Sequence, residues 1–96
     1  MNKNQKSIIR CKGAGVFFGE IISREGDTMT LGNVRQLWYW SGAASLMQLA
    51  KEGVSHPGSC KFTVTLDSIE VFNVIEVLPC TEKAVESINA VKEWKA

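Results

Sequence analysis

Apolar residues in the first half of the chain come in short runs separated by glycine. Ser7 to Lys12 is a short β-prone run, Gly13-Ala14-Gly15 reads as a turn, and Val16 to Ser23 is rich in Val, Phe and Ile. Together they predict a hairpin. Arg24-Glu25-Gly26-Asp27 makes a second turn, after which Thr28 to Leu31 places Thr outward and Met29 and Leu31 inward, as a half-buried strand does. Gly32-Asn33 then breaks or kinks the pattern ahead of Val34 to Trp40. Three consecutive antiparallel strands with short connections are expected.

At Ser41 the period changes. Ala43, Leu46, Met47 and Ala50 recur at intervals of three and four, Ser41 is of the N-cap type, and Gly53 supplies a stop, so a helix is expected over about 41–52. A loop from Val54 to Ser59 follows. Lys61 to Asp67 has the cleanest alternation in the chain, with Phe62, Val64 and Leu66 on one face. Ile69 to Leu78 is a β-branched run interrupted by Asn73, either one bent strand or two short ones, and Pro79 ends it. Thr81 caps a last helix over about 81–92, with Glu82 in its first turn and Ala84, Val85, Ile88 and Val91 on one face. Trp94 is expected to close over the core. The fold class is α+β: a strongly bent antiparallel sheet, or a small open β-barrel, with two helices packed on it, in one domain over 1–96.

Composition limits what such a fold can do. Lys and Arg number 11 against 10 Asp and Glu among 96 residues, giving a net charge of +1. Duplex nucleic acid is therefore not an expected partner, because that affinity comes from many cationic contacts to phosphate. No apolar run approaches the roughly 20 residues of a membrane-spanning helix, and the polar start, with Lys3 and Lys6, lacks a signal peptide's apolar stretch. A cytoplasmic location is expected. Cys11, Cys60 and Cys80 are odd in number and widely spaced, and the one histidine, His56, sits in a His-Pro-Gly turn, so reduced thiols and no metal or other cofactor are expected. A thin core with many large apolar residues favours a homo-oligomer.

Candidate chemistry concentrates in Arg35-Gln36-Leu37-Trp38-Tyr39-Trp40-Ser41-Gly42-Ala43-Ala44-Ser45. A strand ending directly in a helix start leaves backbone N–H groups without intrahelical partners, and the helix dipole adds positive potential there. Ser41, Gly42, Ala43 and Ser45 are small enough for a phosphate to approach closely, and Arg35 and Arg24 are the cations that can join it. Trp38, Tyr39 and Trp40 supply π faces on which a base stacks, at roughly 1–3 kcal/mol per base. In a strand, Trp38 and Trp40 share one face and Tyr39 takes the other. Each ring fits a second role, since aromatic residues are the main source of buried area in a small domain. Gly13, Gly15 and Gly19 are spaced G-x-G-x-x-x-G between strands, which is not a dinucleotide fingerprint. With only His56 to act as a base and no spacing that orients it, a catalytic triad is not expected and the chain is read as no enzyme.

The segments Ala14-Gly15-Val16-Phe17-Phe18-Gly19, Leu37 to Leu46, Cys60-Lys61-Phe62-Thr63-Val64 and Pro79-Cys80-Thr81-Glu82 resemble a family of small bacteriophage and prophage proteins of unknown function, whose core here is R-x-L-W-Y-W-x-G-A-x-S-L. The resemblance implies a phage origin and residence in an infected or lysogenic bacterial cell. Phage proteins of this size often act on host defence. The expected function is accordingly non-catalytic sequestration of a small phosphorylated nucleotide signal. Two other readings stay open: a protein-interaction module that inhibits a host enzyme or serves in phage assembly, and a small barrel that binds single-stranded nucleic acid.

Overall fold

In a computed structural model the described residues run from Gln5 to Ala96. The strands are β1 (Ser7–Cys11), β2 (Gly15–Glu25), β3 (Thr28–Tyr39), β4 (Lys61–Phe62), β5 (Leu66–Val71) and β6 (Val74–Pro79). The helices are α1 (Leu46–Glu52) and α2 (Glu82–Asn89). All pairings between strands are antiparallel, in the order β4-β3-β2-β1-β6, with β5 also on β3. The expected α+β class, with a strongly bent and unclosed sheet carrying two helices, is what the structure has.

Consecutive apolar residues explain why the sheet is covered on both faces. Ile8 and Phe18 lie in a core with Leu49, Ala84 and Ile88 of the helices, whereas their chain neighbours Ile9 and Phe17 lie in a second core with Met29, Leu31, Val34, Val71 and Val74. Alternation along a strand sends neighbours to opposite faces, so runs such as Ile8-Ile9 and Phe17-Phe18 require two buried faces. Helices cover one. Strand residues alone make up the other, which forces the sheet to bend. Each fully buried Phe or Ile is worth about 2 kcal/mol.

The bend is visible in β3. Gly32-Asn33 does kink it, with Asn33 at φ 44°, yet the strand continues through to Tyr39. The kink splits its outer edge between two partners: Met29 to Val34 pairs with β5, and Leu37 and Tyr39 pair with β4. The strand expected over Lys61 to Asp67 is therefore not continuous. At Thr63 the side chain takes over from the ladder, accepting from Gln36 N at 2.9 Å and donating to the Val64 carbonyl at 3.0 Å. Past that point Val64 and Leu66 are exposed while Phe62 is fully buried. Asn73, at φ 58°, separates β5 from β6, so the run from Ile69 to Leu78 resolves as parts of two strands.

The first helix also differs from expectation, starting at Leu46 with Ser45, not Ser41, as its N-cap. Ser45-x-x-Gln48 acts like a capping box shifted by one residue at its return bond: Ser45 Oγ accepts from Gln48 N at 3.1 Å, and Gln48 Oε1 accepts from the N–H of Ala44, just before the cap, at 2.7 Å. That reciprocal pair outcompetes a lone serine four residues earlier. The second helix has the expected cap, Thr81 Oγ1 accepting from Ala84 N at 3.1 Å, but ends at Asn89.

Arg35 fastens these parts together. It lies opposite Phe18 on the helix-facing side of β3 and is 5% exposed. Its Nε donates to the Thr63 carbonyl (3.0 Å), its Nη1 to those of Ile88 and Val91 (both 3.0 Å), and its Nη2 to that of Phe62 (3.2 Å). Four of the guanidinium's five N–H groups are thus held by carbonyls at the end of α2 and along β4. A cation suits a helix C-terminus, where free carbonyls concentrate negative potential. Arg35→Met should lower the unfolding free energy by about 3 kcal/mol or more in a urea titration, because it orphans buried carbonyls. Arg35→Lys should fall between the two, since three donors on a point charge cannot span the same four acceptors.

Candidate functional site

The segment from Arg35 to Ser45 does not form one pocket. Arg35 is withdrawn from it, its guanidinium buried among carbonyls; burial lowers its pKa and the charge of Glu93 partly offsets this. Arg24 sits opposite Met29, at the other end of β3 from Trp38, and its Nε donates to the Gly26 carbonyl at 3.0 Å. Neither cation reaches the small-residue run.

That run is not an open anion cradle either. The amides of Ala44 and Gln48 are bonded to Gln48 Oε1 and Ser45 Oγ, and Leu49 N donates to the Ser45 carbonyl at 3.0 Å. Ser41 N points at Cys60 Sγ, 3.5 Å away. Gly42 is small because of its own chain: at φ 94°, a Cβ there would lie 2.5 Å from Ser55 N and 2.7 Å from His56 N. Ala43 packs against the helix-side core. The small residues expected to admit a phosphate instead admit the loop that follows α1.

The three aromatic rings part company. β3 ends at Tyr39, so strand alternation does not carry Trp40 onto the face of Trp38; Trp40 packs against the helix-side core beside Ala43 and Leu46. Trp38 is 57% exposed and Tyr39 50% exposed, on opposite faces of the strand. The sequence reading missed Trp38's partners. Trp94, expected as a lid on the core, is 45% exposed and stacks on Trp38, with ring centroids 5.0 Å apart and planes inclined by 26°. Lys61 Nζ is 5.3 Å from the Trp38 ring centre and 5.6 Å from that of Trp94.

Those three separations are nearly equal, so the ammonium stands beside the stack rather than over an outer face. Lys61 makes no ion pair among the described residues, whereas nearby Lys95 is 3.6 Å from Glu93. The tail is placed by one isolated parallel bridge between Phe62 and Glu93 and by Trp94 N donating to the Phe62 carbonyl at 2.8 Å. No local sequence signal announces it. The pairing arises because Arg35 holds both Phe62 and Val91.

Elsewhere, a shallow cavity of about 230 Å³ is lined by Gly42, Gln48, Glu52, Gly53, Val54, Ser55 and Lys83, away from the exposed rings. Ser55 Oγ lies 3.3 Å from His56 Nδ1, but it also lies 3.2 Å from the Gly42 carbonyl and the pair is exposed. Among the described residues no group of three or more His, Cys, Asp or Glu could hold a metal ion, and no helix is long and apolar enough to cross a membrane.

Over residues 4–88 the sequence matches a family described as a domain of unknown function (DUF6948), and the chain belongs to that family. No curated protein and no solved structure matches it.

The thiols differ in reach. Cys11 and Cys80 are buried and Cys60 is partly exposed; burial raises the Cys11 pKa and pushes that of Cys80 up to about 11. A disulfide-exchange reagent at mildly alkaline pH should modify Cys60 quickly, leave Cys11 and Cys80 until the chain unfolds, and lose its fast phase in Cys60→Ser. Because the unfolded thiol loses its proton first, stability should be intact below about pH 8.5 and decline as pH rises toward the folded value. Urea midpoints measured across alkaline pH, with Cys80→Ala flattening the decline, check this.

Proposed function

We propose that this member of the DUF6948 family is a non-catalytic binding protein that recognises a nucleotide-type, phosphorylated ligand on Trp38 and Trp94, with Lys61 beside them. The observation that carries this reading is the exposed, stacked indole pair with an unpaired ammonium at its side. A base supplies a π face for the rings, and a phosphate supplies the charge that Lys61 lacks. The reading replaces the helix start and Arg35 as the source of phosphate contacts.

In the phage setting that the sequence resemblance implies, holding such a ligand without turnover amounts to withdrawing it. A small nucleotide signal of host defence is the corresponding target. Net charge supports a local contact of this kind, because one lysine beside two rings needs no broad basic surface.

Incubation with mono-, di- and cyclic nucleotides should raise the melting temperature for at least one of them, by about 10–20 °C at a hundredfold excess over Kd. The ligand should be recovered chemically unchanged after denaturation. Trp38→Ala should abolish the shift while keeping the parent's unliganded melting temperature to within about 2 °C, since the ring is largely exposed. A shift that persists in Trp38→Ala would remove the indole pair from the site, and a chemically altered ligand would make the protein an enzyme.

A further inference from the structure

The indole pair lacks one thing that a nucleotide site requires. A small ligand is normally held in a concavity that covers most of its surface, and the rings stand on an open edge. With centroids 5.0 Å apart, they cover one face of each other and leave no slot between them. The tail that carries Trp94 supplies the missing wall.

We infer that Trp94 is the moving jaw of an aromatic clamp, which opens so that a purine base enters between Trp38 and Trp94 while its phosphate meets Lys61. This rests on the nucleotide reading above and adds to it the residue that encloses the base and the class of base enclosed. Three features of the structure make the opening local.

First, the fixed and moving parts are separated in the chain. Val91 is 3% exposed and its carbonyl is held by Arg35, so the end of α2 is anchored. Beyond it, Lys92 to Ala96 are all exposed, and the tail's backbone rests on β4 at one isolated bridge, which includes the hydrogen bond from Trp94 N to the Phe62 carbonyl. Second, releasing Trp94 leaves the buried Phe62 carbonyl partnered. The Phe62 carbonyl accepts from both Trp94 N and Arg35 Nη2, so it keeps the guanidinium when Trp94 leaves, and the freed amide meets water. Third, Lys61 is almost equidistant from the two rings, at their side, where an ammonium can stay as the gap widens.

The base is a purine because the clamp's contacts are two π faces, and a bicyclic base overlaps both indoles more fully than a single ring does. A phosphate alone finds only Lys61. The stacked state of the empty protein is then the closed jaw, each indole occupying the place that a base would take against the other.

Stacked indoles couple excitonically, so the empty protein should show a couplet in its circular dichroism that a base inserted between them abolishes. Titration of the full chain with adenosine and guanosine monophosphates and a cyclic adenine dinucleotide should quench tryptophan fluorescence and remove the couplet for at least one of them. Ribose 5-phosphate should do neither, and cytidine monophosphate should bind at least about tenfold more weakly than the best purine. Trp94→Ala should weaken that binding by about tenfold or more, and Trp94→Phe should restore most of it, with both empty variants still unfolding in one cooperative transition. If Trp38→Ala abolishes binding but Trp94→Ala does not weaken it, or if binding leaves the couplet intact, the clamp is overturned and the nucleotide reading stands. Equal binding of cytidine monophosphate or ribose 5-phosphate overturns the purine clamp. If none of the probes binds, both readings fall.

Discussion

One buried guanidinium sets the geometry of this protein. Among the described residues Arg35 sits under the sheet with no carboxylate within ion-pair distance, and four backbone carbonyls surround it. Removing a cation from water costs several kcal/mol, which the arrangement offsets by placing the charge where a helix end concentrates free carbonyls. The consequence is topological as well as energetic. Strand β3, the short strand β4 and the end of α2 come from distant parts of the chain, and one planar fork with fixed donor directions fixes their mutual positions.

The second constraint is the double covering of the sheet. Runs of neighbouring apolar residues bury both faces, and only one of them has helices to cover it. Bending is the remaining solution, and the kink at Asn33 lets β3 serve both halves of the fold by pairing with β5 on one side and β4 on the other. The exposed indole pair is a product of this division. Trp38 lies on the last stretch of β3, Lys61 on β4, and Trp94 on the tail that β4 receives. Each is positioned by backbone that Arg35 holds, although the guanidinium itself bonds only to the carbonyls of Phe62, Thr63, Ile88 and Val91 among the described residues.

What was legible in the sequence follows the range of the interactions concerned. The strands of the first half, the interruption at Asn73 and the cap at Thr81 are local features, and local pattern finds them. Ser41 alone was read as the cap, whereas Ser45 caps the helix. The deciding signal, Gln48 three residues after Ser45, was present in the sequence and outweighs the more obvious strand-to-helix junction. Arg35 was not legible as a structural centre, because an arginine in an alternating strand reads as surface and its four partners lie 27 to 56 residues further on. The same holds for the aromatic site. Trp38 was read as a stacking residue and is exposed, Trp40 was grouped with it through an alternation that stops one residue too early, and Trp94 joins it through a single long-range bridge.

The direct test of Arg35's place at the centre is nuclear magnetic resonance of its guanidinium in the folded protein at neutral pH. Held by carbonyls on Nε, Nη1 and Nη2, its N–H protons should give separate, slowly exchanging signals with hindered rotation about the Nε–Cζ and Cζ–Nη bonds. Rapid exchange with water, or averaging of the Nη signals into the envelope of the exposed arginines, would contradict the account, because a guanidinium free to rotate cannot be what joins β3, β4 and the end of α2.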